Sequence, residues 1–229
     1  MGILNLHFEK IKELLDSRTS TDQELDIVIL GFPELHQNIP LLNKTFGEEN
    51  LKKSKEKFNT TNDSNYYLID ILKTLYNCKI TVVDIEQHTG TEEILDFNYP
   101  IPNKYKEKFD FLIDSSCLEH CFNIGQAFLN ICDFMKVGGI ATTIAPIYNL
   151  NHGYFNINPI FHEDGFLQNG FEILSQNIID KYGDVVLDFS KKSHPRKNYI
   201  LTTAIKIKSV DLQFPIQTHK GEGRTYESR

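Results

Sequence analysis

The sequence predicts an α/β protein with one doubly wound, mostly parallel sheet and an antiparallel final strand. Short continuous apolar runs at 27–30, 80–83, 109–113 and 140–145 have the character of strands buried on both faces. Segments with helical apolar spacing alternate with them, which is the pattern of a parallel sheet covered by helices on both sides. The last two strand-like runs, Phe171 to Ile179 and Tyr199 to Ile207, follow each other without a helix between them. They must therefore pair antiparallel.

Taken in order, Leu4, Phe8, Ile11 and Leu15 form one apolar stripe on a first helix over residues 3–15. Ile27 to Leu30 is the first strand and ends at Gly31 and Pro33. Residues 43–65 are polar, with few apolar anchors to offset the entropy of ordering, and are expected to form an insertion or a mobile flap. Leu68, Ile71, Leu72 and Leu75 mark a helix, followed by a strand from Ile80 to Val83 that ends in Asp84. A short strand at Glu93 to Leu95 precedes Asp96, and two prolines exclude helix from 98–102. The run 109–113 leads to Asp114 and Ser115. Apolar spacing from Cys117 to Met135 predicts one long helix, opened by Ser116 and Glu119 at the spacing of a capping box and closed at Gly138-Gly139. Strand 140–145 ends at Pro146, and a further helix begins near Pro159. Residues 1–208 are expected to be a single domain and 209–229 a tail.

Composition removes several classes. The 229 residues carry 24 Lys and Arg against 31 Asp and Glu, a formal charge of −7, so nucleic acid is not an expected partner. Four cysteines do not suggest a secreted disulfide framework. The N-terminal residues lack signal-peptide features and no run is long and apolar enough to span a membrane, so a cytoplasmic, soluble chain is expected. Cys117, His120, Cys121 and Cys132 invite a zinc reading, but on one helix the cysteines would share a face with Ile124, Phe128 and Ile131, as a core stripe does. No metal site is expected from them.

In an open parallel sheet, ligands bind beyond the carboxyl ends of the strands. Gly31, Asp84, Asp96, Asp114-Ser115 and the segment from Pro146 to Tyr148 all fall on that edge, and an acid ending the second strand suits a ribose diol. The run FDFLIDSSCLEHCFNIGQAFLNICDFMKVGGIATTIAP, residues 109–146, resembles the segment of class I S-adenosylmethionine-dependent methyltransferases between their fourth and fifth strands. There an aspartate ends the strand, a Leu-Glu-His triplet opens the helix and a glycine pair precedes the next strand. VVDIEQHTGTEEILDFNYPIP, residues 82–102, is similar to the family's adenosine-binding stretch, and residues 151–174 resemble a subgroup with bacterial small-molecule and glycan-modifying members. The resemblance covers about 26–208.

That resemblance implies a Rossmann-like fold and S-adenosyl-L-methionine as cofactor. It implies cofactor contacts at Gly31, Phe32, Asp84, Ile85, Asp96, Phe97, Asp114 and Ser115, with Asp84 at the ribose and Asp96 at the adenine amino group. The acceptor would be a small molecule, a hydroxyl of a sugar or nucleotide-linked sugar in surface glycan biosynthesis. The first loop departs from the family in having a single glycine, and Asp84 follows Gly31 by 53 positions rather than the ~20 usual in nucleotide folds. A methyltransferase-like binding or regulatory subunit is the alternative. A nicotinamide oxidoreductase is disfavoured, since no G-x-G-x-x-G follows the first strand.

Among the chemistry-bearing side chains, His152 follows the fifth strand in Asn-His-Gly-Tyr and is the expected general base, with Gly153 freeing the backbone. His120 stands second, and His88 and His162 are weaker candidates. Tyr148 and Asn149 are placed to orient an acceptor. The basic run 191–197 reads as a solvated connection, or, if functional, as a phosphate holder.

Overall fold

The computed structural model describes residues 5–18, 24–36, 39–58, 65–180 and 198–217. The chain runs through α1 (Asn5–Arg18), β1 (Leu25–Leu30), β2 (Glu34–His36), α2 (Ile39–Phe46), α3 (Glu48–Phe58), β3 (Asn65–Tyr67), α4 (Leu68–Leu75), β4 (Cys78–Asp84) and β5 (Glu93–Ile94). It continues through β6 (Phe109–Ser115), α5 (Ile124–Phe134), β7 (Met135–Tyr148), α6 (Pro159–Gln168), β8 (Phe171–Asp180) and β9 (Asn198–Lys206). Seven strands form one sheet in the order β5-β4-β1-β6-β7-β9-β8, and β2 pairs with β3 as a separate antiparallel ribbon. β5, β4, β1, β6 and β7 are parallel, while β9 lies antiparallel between β7 and β8. This is the expected doubly wound, Rossmann-like sheet with its reversed strand.

Alternation along β1 shows why both faces need helices. Ile27 and Ile29 pack with Phe8, Ile11 and Leu15 of α1 and Leu68, Ile71 and Leu72 of α4. Val28 and Leu30 point the other way, to Phe128 and Ile131 of α5. A strand clad on both faces carries no polar position in its middle, hence the unbroken apolar run.

Four expectations change. Most of the predicted polar flap, residues 43–58, is helical: α2 and α3 bury Leu42, Phe46 and Leu51 in the same cluster as α1, with the Phe8 and Phe46 rings edge to face at 6.0 Å. Glu48 and Glu49 in the first turn of α3 and Lys55 and Lys57 in its last complement the helix dipole, so a mostly charged segment still holds a helix. Residues 59–64 lie outside the described residues.

The long helix predicted from Cys117 also starts later. Leu118 to His120 form a 3-10 turn, and α5 begins at Ile124, capped by the Asn123 side chain accepting from the Gln126 N–H. Ser116 has φ +77, not the extended backbone of an N-cap, so the capping box does not form although its hydroxyl meets Glu119 Oε1. At the other end, α5 stops at Phe134, and Gly138, at φ +83, sits in a register shift of β7 rather than closing a helix.

The start of the expected tail is tied down. Asn169 exchanges two hydrogen bonds with the Gln213 backbone, and Gln168 does the same with Ile216. Residues 218–229 and the basic run 191–197 lie outside the described residues. Among those described, no helix is long and apolar enough to cross a membrane.

Candidate functional site

A cavity of about 340 Å³ opens at the carboxyl ends of β1, β4 and β5. Gly31, Asp84, Ile85, Asp96 and Phe97 line it together with His120, and Val83, Leu95, Asn98, Cys117 and Cys121 complete the wall. Six of the residues singled out in the sequence thus meet at one place. Gly31 makes the turn out of β1 at φ +74 while its N–H donates to the Val83 carbonyl at 2.8 Å. A side chain would strain that backbone.

The loop after β1 is held by Asp84 rather than by further glycines. The Phe32 N–H donates to Asp84 Oδ2 at 2.7 Å, and the Ile85 and Glu86 N–H groups donate to Oδ1 at 2.6 and 3.2 Å. His88 Nε2 lies 3.2 Å from Oδ2, and its ring stacks on Phe32 at 4.9 Å. His88 is therefore a partner of Asp84 and Phe32. Phe32 itself is buried and touches the site through its backbone.

The 88–92 loop beside it is closed by Glu92, which accepts from the His88, Thr89 and Gly90 N–H groups. Burial pushes the Glu92 carboxyl up, but bonds from the Thr89 hydroxyl and these amides outweigh it and bring it down to about 2. On the wall after β5, Asp96 Oδ1 accepts from the Asn98 backbone and side-chain nitrogens at 2.9 and 2.7 Å. Asn98 in turn accepts from the Asn123 N–H at 2.8 Å and so ties this wall to the start of α5.

Next to the cavity stands a second group. His152 Nε2 lies 3.2 Å and His120 Nε2 4.0 Å from Glu119 Oε1, and the two imidazole rings are 5.0 Å apart. The Glu119 side chain is 0% exposed, against 42% for His120 and 34% for His152. Burial raises the Glu119 carboxyl to about 7, with the Ser116 hydroxyl pulling the other way. His120 is lowered, first by burial and then by His152. Asp114 and Ser115 lie beneath, fully buried and outside the cavity wall; Asp114 Oδ1 accepts from the Cys117 N–H at 2.9 Å. Burial, and then the neighbouring Glu119, hold the Asp114 carboxyl well above the usual range.

Gly153 has a different reason from the one expected. A Cβ there would lie 2.7 Å from both Cγ and the carbonyl oxygen of Glu119, so only glycine lets this loop close on the 3-10 turn. The Tyr154 N–H fastens it by donating to the Glu119 carbonyl at 2.8 Å. Of the two expected acceptor contacts, Tyr148 is exposed at the end of β7, whereas Asn149 is buried and donates to the Tyr199 hydroxyl at 3.3 Å and, from its backbone, to Asn156 at 2.9 Å. His162 lies in the core, with Nδ1 3.0 Å from the Thr202 hydroxyl, and burial lowers it to about 3. Cys121 and Cys132 are buried with Phe128 and Ile131 and Cys117 packs against them, as expected of a core stripe; Cys117 and Cys121 also line the cavity, and the Cys121 thiol donates to the Cys117 carbonyl at 3.7 Å.

Sequence reasoning missed Glu119 as the partner of His152. The only signal was the Leu-Glu-His triplet, which points to the turn but not to what packs on it.

No family model matches the sequence, and no curated protein matches it. Solved structures do. The CurJ carbon methyltransferase is 11% identical, with 88% of this chain and 54% of that chain covered at a TM-score of 0.52. A candidate methyltransferase of Bacillus halodurans C-125 is 11% identical, with 87% of this chain and 100% of that chain covered at 0.50. The [4+2]-cyclase SpnF is 16% identical over 86% of this chain and 80% of its own, at 0.48. At such identities the likeness speaks for the fold alone.

Proposed function

We propose that this chain is a methyltransferase that takes S-adenosyl-L-methionine in the 340 Å³ cavity and methylates an oxygen of a small molecule held beside it. The observation that carries this reading is His120, which borders the cavity and also belongs to the group with Glu119 and His152. A cofactor site and a proton-handling site thus share a wall. The side chains present fit the cofactor. Two acids, Asp84 and Asp96, line a largely apolar cleft at neighbouring strand ends, where they could accept from a ribose diol and an exocyclic amino group, and Ile85 and Phe97 offer apolar surface to a base. The cofactor supplies an electrophilic methyl group. The chain holds the two partners in line, an effect worth about 7–11 kcal/mol, and removes the acceptor proton.

A ribose at Asp84 would compete with His88 for the carboxylate, a contact made by a half-exposed ring that also stacks on Phe32. The finer assignment, a sugar or sugar nucleotide of bacterial surface glycan synthesis handled in the cytoplasm, rests on the resemblance of residues 151–174. A non-catalytic binding subunit would keep the cavity and show no turnover.

Calorimetry with S-adenosylmethionine and with NAD tests the cofactor. Binding of the first alone is expected, weakened roughly 10- to 150-fold by Asp84→Ala, the loss of a charge-assisted hydrogen bond. Equal affinity in wild type and variant would remove Asp84 from the site. Transfer of labelled methyl to candidate sugar nucleotides then tests the acceptor.

A further inference from the structure

We infer that Glu119, His120 and His152 form a binding site for one first-row divalent cation of the zinc type. Their candidate ligand atoms all lie within 4.8 Å of one another. A tetrahedral zinc with bonds of about 2.0–2.2 Å places its ligands about 3.3–3.6 Å apart. The His152–Glu119 separation of 3.2 Å already meets this, and the His120 distance of 4.0 Å is closed by a small swing of an exposed ring.

Among the described residues, two buried carboxyl groups here have no lysine or arginine beside them. Glu119 is completely buried and its Oε2 has no hydrogen-bond partner; Asp114 beneath it is completely buried with an unpartnered Oδ2. Among the described residues neither carboxylate forms an ion pair with a lysine or arginine. Burying unpaired carboxylates is costly, by several kcal/mol for each charge. A divalent ion on Glu119 supplies the missing charge from the side where the two imidazoles stand.

The surroundings resemble the outer support that metal ligands need. The Ser116 hydroxyl meets Glu119 Oε1, the Tyr154 N–H holds the turn by its carbonyl, and Gly153 allows the two segments to touch. Two imidazoles and one carboxylate favour zinc-like ions over magnesium or calcium, which prefer all-oxygen shells. Three protein ligands leave a position open, the arrangement of a reactive rather than a structural site. Because His120 also borders the cavity, a fourth ligand on the ion would lie near the proposed methyl donor; an acceptor hydroxyl bound there would be made more acidic and would give its proton to solvent. His120 and His152 then serve as ligands. The ion site stands on its own geometry, and only its part in methylation rests on the proposed function.

The test uses the full chain, stripped with a chelator and titrated with Co²⁺, followed by visible absorption and by competition with Zn²⁺. One Co²⁺ per chain is expected, with the bands of a four- or five-coordinate ion that Zn²⁺ abolishes. Affinity should fall by at least ~100-fold in His152→Ala, in His120→Ala and in Glu119→Gln. The two histidines are partly exposed, so their variants keep the fold, and their melting temperatures should no longer rise with Zn²⁺ as the wild type's does. Absence of stoichiometric Co²⁺ binding to the wild type overturns the site, as does undiminished binding in both histidine variants. S-adenosylmethionine calorimetry on the same stripped protein separates the two ideas. Methyl-donor binding without metal binding sinks the ion site alone, and the reverse sinks only the methyltransferase reading.

Discussion

Replacing Gly153 by alanine should break the contact that positions His152. The added Cβ would sit 2.7 Å from Glu119 Cγ and from its carbonyl oxygen, about 0.7 Å inside the 3.4 Å at which ordinary contact begins. Glu119 is buried and cannot swing aside, and its carbonyl is fixed by the Tyr154 N–H, so the 151–154 loop must move instead. A retreat of that size stretches the 2.8 Å Tyr154–Glu119 hydrogen bond past useful range and takes His152 away from Oε1. Overpacking typically costs 1–3 kcal/mol and a lost hydrogen bond about 1 kcal/mol, so a loss of about 2–4 kcal/mol is expected. Urea denaturation reads the total, and amide exchange at Tyr154, expected at least ~10-fold faster, reads the loop itself. Affinity for S-adenosylmethionine should stay the same, since Gly153 does not line the cavity. An unchanged urea midpoint together with unchanged Tyr154 protection would refute the close-approach explanation.

Two further substitutions probe the frame around the site. His7 is fully buried, with neither ring nitrogen partnered, and burial lowers it to about 3, so below pH 6.5 the unfolded chain takes up a proton that the folded one refuses. Stability is then lost as pH falls from about 6.5 toward 3; Asp114 and Glu119, raised in the fold, act with the opposite sign, so wild type alone is a poor gauge. Compared with wild type, His7→Leu should gain about 1.4 kcal/mol for each pH unit below 6.5, and a difference that stays constant between pH 7 and 5 would disprove it. Lys206, also buried, donates to Glu107 Oε1 at 3.0 Å and to the carbonyls of Cys132 and Met135 at 3.3 and 3.0 Å, where α5 gives way to β7. Lys206→Met should cost about 2–4 kcal/mol by leaving those carbonyls unsatisfied, and a change under about 0.5 kcal/mol in urea unfolding would show them otherwise served.

The strands and their order were legible because a two-sided sheet writes itself as unbroken apolar runs, as at Ile27 to Leu30. The helix α3 was not: its deep apolar anchor, Leu51, stands among lysines and glutamates, and the cluster it joins is built from other segments, such as Phe8 of α1 and Leu68 of α4. The start of α5 misled for a subtler reason. Cys117 and Cys121 keep helical spacing with Ile124, yet the chain makes a 3-10 turn there and puts both residues on the cavity wall as well as against the core. Half of the candidate site followed from strand ends, since Gly31, Asp84 and Asp96 meet at one edge. The other half depends on Glu119 meeting His152 across a turn and a strand. No local periodicity records such a meeting.

The position of β9 has a consequence for synthesis. It lies between β7 and β8, although it is the last of the three to be made, and β8 joins the sheet only through it. Until residues 198–206 have left the ribosome, β7 has a bare edge from Ile140 to Pro146 and β8 has no sheet neighbour. An unpaired apolar edge is a template for the wrong partner, including the same edge on a neighbouring nascent chain. A stop codon or a protease cut before Asn198 would thus do more than shorten the molecule: it would strand β8 and turn the centre of the sheet into a sticky rim, so such fragments should partition into aggregates or degradation while the full chain stays in solution.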